Sequence, residues 1–253
     1  MTNREKCVNW IKEYFADNPY GKAIIGISGG KDSTIAAALC VEALGADRVI
    51  GILMPCDGQK DISDSLEVVS TLSIEWLSVD IGESFYRLCD AIDDNYQIID
   101  SKRPIMLNSM VKTNLPARLR MATLYAVAAL YPNSRVVNTC NYSEDYVGYS
   151  TKYGDAAGDF SPLGALTVRE VLQIGDELGL PYHLVHKVPS DGMCGKTDED
   201  NLGFTYDELD DYILNGKAPD TQEKYERITH LHRVTRHKYE PIPTFQPIVL
   251  EEE

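Results

Sequence analysis

The sequence predicts an α/β protein with a Rossmann-like three-layer fold around a central parallel sheet of about five strands. Short apolar runs rich in Ile and Val alternate with longer stretches that have helical periodicity. The apolar runs are continuous, which is typical of strands buried on both faces. Strands separated by helices imply right-handed crossovers and a parallel sheet. A ligand is therefore expected outside the carboxyl ends of the strands.

The predicted strands cover residues 23–27, 48–54, 74–79, 135–139 and 183–188. The predicted helices between them cover residues 32–44, 61–72, 82–93 and 108–130. From about residue 205 the pattern is helical, with a break at residues 215–220 and a long polar helix over residues 221–238. No repeat or low-complexity linker interrupts the chain. We therefore predict one domain over residues 1–253, with a helical closing segment from about residue 205.

Composition excludes several classes of function. The 253 residues include 24 Lys and Arg against 39 Asp and Glu, a formal charge of −15. This balance disfavours nucleic-acid and anionic-membrane partners, because phosphate backbones attract clustered cations. No run approaches the roughly 20 apolar residues of a membrane span. The six cysteines are scattered and form no C-x-x-C pair, so we expect a cytoplasmic protein with reduced thiols and no zinc site.

The strongest motif is the string G-I-S-G-G-K-D-S at residues 26–33. It follows a predicted strand and opens a predicted helix. Paired glycines allow close approach of the backbone, and the N–H groups at the start of the helix face an anion. Ser28 and Ser33 add hydroxyl donors, and Asp32 is placed to hold a metal beside phosphates. The string is not the G-x-x-x-x-G-K-[ST] loop of the common NTPases, so simple γ-phosphate hydrolysis does not follow from it.

The S-G-G-x-D-S string resembles the loop of ATP pyrophosphatases with the adenine nucleotide alpha hydrolase-like fold. Three further stretches resemble the NAD synthetase branch: NLPARLRM at 114–121, NTCNYSEDYVGYSTKYGDAAGD at 138–159 and PSDGMCGKTDEDNLGFTYDELD at 189–210. The match runs from about residue 24 to 238. The loop strand begins near residue 23, so we expect no amidase domain before it. The resemblance therefore implies the ammonia-using form.

The resemblance implies the amidation of nicotinic acid adenine dinucleotide (deamido-NAD) to NAD. The substrate carboxylate first attacks the α-phosphorus of ATP, and ammonia then displaces AMP from the acyl-adenylate. The implied cofactor is Mg²⁺, with ATP, deamido-NAD and ammonia as substrates, and the implied assembly is a homodimer. The predicted homodimer uses one face of the long helix at residues 108–130 for the partner and another for the site.

The resemblance also implies residue roles. The expected catalytic residues are Ser28, Asp32, Ser33 and Glu144, of which Asp32 and Glu144 hold the metal. The expected ATP-binding residues are Gly26, Ile27, Ser28, Gly29, Gly30, Lys31, Asp32, Ser33, Met54, Gln59, Arg120, Thr139 and Ser190. The expected deamido-NAD-binding residues are Arg118, Tyr149, Lys152, Asp155, Asp159, His237 and Lys238.

Structural alternatives stand beside several of these roles. Met54 ends a strand, where a methionine more often packs in the core. Tyr149 can stack on a pyridine ring or pack internally. Lys152 can bind an anion or pair with Asp155. Arg118 can bind substrate or belong to a solvated helix face.

One position departs from the family pattern. The family usually carries a phosphate-contacting lysine where this chain has Val168. Either a neighbouring cation compensates or transfer is impaired. We expect compensation, with Lys196 favoured over Arg169. The side chain of Lys31 is expected to point along its helix and to contribute little.

Two other classes of function share the phosphate loop. A tRNA-modifying thiolase or ligase would need a basic surface, which the −15 charge opposes. A nucleotide-binding regulatory or electron-transfer-flavoprotein-like domain would not need Asp32 with Glu144. Release of pyrophosphate separates the nucleotide-binding domain from the synthetase.

Overall fold

The computed structural model describes residues 1–56, 62–99, 109–187 and 197–245. Its sheet contains four parallel strands, β1 (Ala23–Gly26), β2 (Val49–Leu53), β3 (Glu75–Ser78) and β4 (Arg135–Val136). Their order across the sheet is β3-β2-β1-β4, and Gly26 lies opposite Ile52. The parallel Rossmann-like sheet is thus confirmed, but with four strands in the described residues rather than about five.

The helices alternate with the strands and then continue to the carboxyl end. In chain order they are α1 (Asn3–Tyr14), α2 (Lys31–Leu44), α3 (Ile62–Thr71), α4 (Gly82–Ile99), α5 (Ser109–Ala128), α6 (Tyr142–Val147), α7 (Val168–Glu177), α8 (Tyr182–Val185), α9 (Asp198–Leu202), α10 (Tyr206–Asn215) and α11 (Gln222–Thr235). Short 3-10 turns occupy Ala46–Arg48 and Arg236–Lys238. No helix in the described parts of the chain is both long and apolar enough to cross a membrane.

The strand predicted at residues 183–188 is wrong. Tyr182–Val185 forms the short helix α8, which Pro181 precedes. Leu184 and Val185 are fully buried in the core cluster that also contains residues of α2. A short apolar run can bury itself as a strand or as one helical turn, and proline at its start favours the turn here.

Alternating residues of the strands build two separate cores. Ala23 and Ile25 of β1 belong to the cluster beneath α1, α2, α7 and α8, whereas Ile24 belongs to the cluster beneath α5. Ile50 and Ile52 of β2 follow Ile24 into the second cluster. Both faces of the central strands are therefore covered, as the continuous apolar runs predict.

The outer strands differ from the prediction. All four residues of β3 are exposed, including Trp76 and Leu77, because β3 is the edge strand of the sheet. β4 contains two residues instead of the predicted five, and Val137 beyond it forms an isolated bridge to Phe160. Because the hydrogen-bond ladder between β1 and β4 ends at Val136, the segment after β4 can turn towards the site.

A third apolar cluster joins the carboxyl-terminal helices to the sheet domain. Its buried members come from α6, α7 and the segment from α9 to α11, and they are Val147, Val168, Leu202, Phe204, Tyr206, Leu209 and Ile228. Asp210 of α10 is fully buried and accepts hydrogen bonds from the Ser143 hydroxyl and the Arg169 N–H. These contacts fix α10 against the start of α6 and of α7.

Candidate active site

The loop after β1 has the geometry of an anion cradle. Helix α2 begins at Lys31, and its N-cap Gly30 offers no side-chain cap, so the first N–H groups of the helix stay available to a ligand. Gly29 has φ of +78°, and a Cβ there would lie 2.9 Å from the Asp64 Cβ. Only glycine fits this turn without strain. The hydroxyls of Ser28 and Ser33 lie 3.0 Å apart and shape the inside of the loop.

Asn141 connects the loop to α6. Its side-chain amide donates to Asp32 Oδ1 at 3.0 Å, and its side-chain oxygen accepts from the Glu144 N–H at 3.1 Å. The Glu144 carboxylate in turn accepts a hydrogen bond from the Asn141 N–H, which completes a capping box at the start of α6. Asp32 and Glu144 are thereby brought to the same place, as predicted. Asn141 itself was not predicted, although the N-x-x-E spacing at residues 141–144 signals the cap.

The expectation for Lys31 is wrong. Its side chain does not run along the helix surface but turns inward, with 5% of its area exposed. The Nζ atom lies 2.7 Å from Asp32 Oδ2 and 4.0 Å from Glu144 Oε1. Two partly buried carboxylates attract the ammonium more strongly than water does at the helix surface.

The electrostatics of this group favour a bound cation. Burial, then the neighbouring charge of Asp32, raises the pKa of Glu144, while Lys31 opposes the rise. Burial would lower the pKa of the Lys31 ammonium, but Asp32 and Glu144 outweigh it and the net pKa is raised. A cation that bound to Asp32 and Glu144 would therefore displace the proton that burial favours on Glu144.

The two arginines of α5 contact different parts of the structure, as their spacing predicts. The Arg120 Nε donates to the Met54 carbonyl at 3.2 Å, at the carboxyl end of β2. The Arg118 Nε donates to the Lys152 carbonyl at 3.3 Å. The side chain of Met54 is buried in the core cluster beneath α5, so packing accounts for it.

The segment after α6 holds the other predicted polar groups. The Tyr149 hydroxyl donates to Asp198 Oδ1 at 3.1 Å, which connects α6 to α9. Within the described residues, the Lys152 ammonium donates to the His237 carbonyl and does not pair with Asp155. Asp155 instead accepts from the Thr151 N–H at 2.9 Å.

Asp159 lies beside strand β4. Its carboxylate accepts from the Val136 N–H at 2.7 Å and from the Tyr125 hydroxyl at 3.1 Å. Val136 is level with Ile24, two residues before the end of β1. These bonds hold β4 and α5 together, and the predicted contact of Asp159 with substrate stays a prediction.

The carboxyl-terminal H-K pair contacts the same segment. Lys238 Nζ donates to the carbonyls of Gly148 and Ser150, each at 2.6 Å. The His237 ring lies 3.0 Å from the Val234 carbonyl. The Tyr239 hydroxyl bonds the Ser150 hydroxyl. The tail thus reaches the predicted dinucleotide site.

Five further residues named in the sequence predictions remain. Thr139 is half-buried in the segment between β4 and α6. Gln59, Ser190 and Lys196 lie outside the described residues. The Arg169 guanidinium pairs with Asp211 at 2.9 Å and with Asp207 at the surface, so compensation for Val168 by Arg169 stays a prediction that these contacts do not favour.

Comparisons with known proteins agree with this arrangement. The sequence profile described as NAD synthase matches residues 3–242. An NH(3)-dependent NAD(+) synthetase from Carboxydothermus hydrogenoformans is 34% identical over 236 residues, which is 92% of this chain and 93% of the relative.

Two solved structures are also similar. An NMN synthetase from Francisella tularensis superposes with a TM-score of 0.84 and 34% identity, over 96% of each chain. An NAD+ synthetase from Burkholderia pseudomallei superposes with a TM-score of 0.71 and 27% identity, over 93% of this chain and 88% of the other. With a profile that spans nearly the whole sequence and a phosphate loop that meets two carboxylates, the chain belongs to the NAD synthase family.

Proposed function

We propose that the chain amidates deamido-NAD to NAD with ATP and ammonia. As a member of the NAD synthase family it is a ligase that forms a carbon–nitrogen bond. The observation that carries the proposal is the meeting of Asp32 and Glu144 on Asn141, directly beside the phosphate loop. Such a group suits the transfer of an adenylyl unit, in which charge on phosphates must be stabilised.

The residues act by position. The N–H groups at the start of α2 and the hydroxyls of Ser28 and Ser33 hold the phosphates of ATP. A carboxylate oxygen of the substrate forms a bond to the α-phosphorus, and the bond from that phosphorus to the bridging oxygen breaks. The electron pair leaves with pyrophosphate. Ammonia then bonds to the carbonyl carbon, AMP leaves, and ammonia gives up a proton. No protein nucleophile is required.

Asp32 and Glu144 fit Mg²⁺. Carboxylate oxygens are ligands that this hard cation prefers, and it keeps waters and phosphate oxygens in its shell. No group of three or more His, Cys, Asp or Glu residues forms a closed metal site in the described part of the chain, so an open site is consistent with the residues present. When bound, the ion supplies positive charge beside the phosphates.

We assign the substrate end of the site to the segment between α6 and the tail. The candidate groups are those predicted from the sequence, namely Arg118, Tyr149, Lys152, Asp155, Asp159, His237 and Lys238. The contact of Lys152 with the tail and the contact of Lys238 with Gly148 support this assignment, because they join two candidate regions into one surface.

The direct test is an end-point assay with ATP, Mg²⁺, ammonium and deamido-NAD, in which NAD is measured with a dehydrogenase. NAD and AMP should form in equal amounts. Omission of ammonium should leave AMP formation slow and NAD absent. Failure to form NAD in the complete mixture by a folded protein would contradict the proposal.

A second candidate substrate is nicotinic acid mononucleotide, which would be amidated to nicotinamide mononucleotide (NMN). The favouring observation is the superposition on the Francisella NMN synthetase, at 0.84 against 0.71 for the Burkholderia NAD+ synthetase. Both acceptors present the same nicotinate carboxylate and differ in the adenylyl part. The ratio of kcat/KM for the two acceptors, measured in parallel assays, decides between them.

We further propose a homodimer with a cytoplasmic location, in which residues 1–253 act as one domain. Helices α4 and α5 pack on each other and expose apolar side chains, among them Tyr86, Ile92 and Met110. Such a surface fits a two-fold, self-complementary interface. ATP and ammonium are available inside the cell. Sedimentation that shows only monomer at micromolar concentration would contradict the dimer.

A further inference from the structure

A cavity of about 260 Å³ adjoins the phosphate loop, and its lining includes Lys31, Val168, Lys187, Asp198 and Tyr206. Val168 is buried in the same apolar cluster as Tyr206. The position that departs from the family pattern therefore faces the cavity into which Lys31 turns.

The lysine is built into this cavity. With 5% of its area exposed, Lys31 holds its Nζ 2.7 Å from Asp32 and 5.8 Å from the centre of the Tyr206 ring. An ammonium over an aromatic face is stabilised most when it is desolvated. Loss of this side chain would leave Asp32 and Glu144 buried without their shared ammonium.

Tyr206 supplies an independent indication of a ligand. Its residue is 5% exposed, and its hydroxyl has no hydrogen-bond partner among the described residues. Burial, followed by the charges of Glu144 and Asp198, raises the pKa of this hydroxyl, which therefore stays protonated and can donate. A buried donor without an acceptor destabilises the empty site, so an acceptor from a ligand would satisfy it.

The required acceptor is an anion that arrives with cations. Asp32, Glu144 and Asp198 would repel a bare polyphosphate, so positive charge is needed close to its oxygens. Arg169 pairs at the surface and Lys187 contacts Asp64 at 2.6 Å. Lys31 is the lysine of the cavity lining that also belongs to the phosphate loop.

We propose that Lys31 and Tyr206 form a phosphate-binding pair, in which the Lys31 ammonium takes the position that a lysine at 168 would otherwise fill. The inference rests on the proposed function. As the α-phosphorus bonds to the substrate carboxylate and releases the bridging oxygen, the electron pair moves onto pyrophosphate. Lys31 and Tyr206 donate hydrogen bonds to that leaving group and transfer no proton to it.

The test uses Lys31→Met and Tyr206→Phe in the full chain, with kcat and calorimetric binding of pyrophosphate measured at saturating Mg²⁺. Lys31→Met should lower kcat by about 10²-fold, the effect of removing one donor from a developing anion, and should weaken pyrophosphate binding about 10-fold or more. Tyr206→Phe should weaken pyrophosphate binding several-fold without loss of stability, because its hydroxyl has no partner to lose.

Lys22→Met is the matched control. Lys22 also pairs with a carboxylate, Glu75 at 3.3 Å, but it lies at the opposite end of β1. The Lys22→Met substitution should leave kcat and the affinity for pyrophosphate within two-fold of wild type. The double variant Lys31→Met with Val168→Lys should recover much of the lost activity, since the cavity admits a lysine from either wall.

Several outcomes would overturn the pair. If Lys31→Met has the kcat and the pyrophosphate affinity of wild type at saturating Mg²⁺, the lysine only neutralises the carboxylates. If Lys196→Ala shows the loss and Lys31→Met does not, the compensating cation is Lys196. If Lys31→Met fails to fold, unchanged pyrophosphate binding by Tyr206→Phe overturns the pair. A different pair of results is a wild-type protein that forms neither NAD nor NMN, while Lys31→Met still weakens its binding of pyrophosphate. That pair of results would contradict the proposed function and leave the phosphate-binding pair standing.

Discussion

Residues 31–40 of α2 divide into a polar half and an apolar half that are buried to a similar extent. The first turn, at residues 31–34, carries an ammonium, a carboxylate and two hydroxyls, and Lys31, Ser33 and Thr34 are each at most 5% exposed. The next six residues are apolar and also at most 5% exposed. The apolar half stabilises the fold by leaving water. The polar half is stable only through neighbouring charges and, we infer, through a ligand.

This comparison shows that burial alone does not mark a functional site. A site is marked by buried charge whose partners are incomplete. Asp32 and Glu144 share one ammonium, whereas Leu39 in the apolar half needs only contact. Four experiments test the contrast.

Asp32→Asn should have the largest effect. The variant keeps the size of the side chain and an oxygen for the Asn141 amide but loses the charge that would hold a metal. Transition-state stabilisation should fall by several kcal/mol, or about 10³-fold in kcat. Circular dichroism should confirm the fold. Near-normal turnover by the folded variant would remove Asp32 from the catalytic group.

Leu39→Ala should give the complementary result. The side chain is fully buried, and its truncation should lower the free energy of unfolding by about 2–5 kcal/mol. Urea unfolding measures the loss, and kcat per folded molecule should stay unchanged. Leu66→Ala, on an exposed part of α3, is the control and should change stability far less. A large fall in kcat for folded Leu39→Ala would break the division between the halves.

Glu144→Gln should stabilise the protein without ligand by about 1–2 kcal/mol at neutral pH. The folded protein holds a proton on Glu144 at pH values where the unfolded chain has lost it, because burial raises the pKa of the carboxyl. Wild-type stability therefore falls as pH rises from about 4.5 towards neutrality, and the variant should not share this fall. Urea unfolding across that range measures the difference. A variant less stable than wild type at pH 7.5 would contradict the prediction.

The smallest effect concerns Lys187 and Asp64, which packs against Gly29 of the loop. The hydrogen bond from Lys187 lowers the pKa of Asp64 despite partial burial. The pair therefore stabilises the fold above the ordinary aspartate pKa of about 3.9 and loses this effect as pH falls through the lowered value. A double-mutant cycle of Lys187→Met and Asp64→Asn should give a coupling of about 0.5–1 kcal/mol at pH 7. Coupling that persists at pH 2.5 would be inconsistent with an ion pair.

The sequence predicts those parts of the molecule that depend on local pattern. The strands β1 and β2, the loop between β1 and α2, and the convergence of Asp32 with Glu144 follow from apolar runs and motif order. The α8 turn does not, because tertiary burial of Leu184 and Val185 decides between a strand and a helix. The unpredicted helix α1 begins with a capping box at Thr2 and Glu5, but its sequence has few apolar residues.

The direction of Lys31 could not be predicted for a different reason. On an isolated helix a lysine extends into solvent. Its inward turn requires Glu144, which is more than a hundred residues away in the chain, and the ring of Tyr206, which is farther still. The hydrophobic periodicity of a segment does not show which charges from distant parts of the chain will lie beside it. The hydrogen bond from Asn141 to Asp32 shares this dependence on residues distant in sequence.

The contacts between the tail and the segment after α6 run in both directions. Lys152 donates to a tail carbonyl, and Lys238 of the tail donates to Gly148 and Ser150. Each lysine thus donates to backbone carbonyls of the other segment, so we expect the two segments to become ordered together. The two segments should open and close as a single cooperative unit, and a cut between Thr235 and Lys238 would release a loop that lies almost ninety residues earlier in the chain.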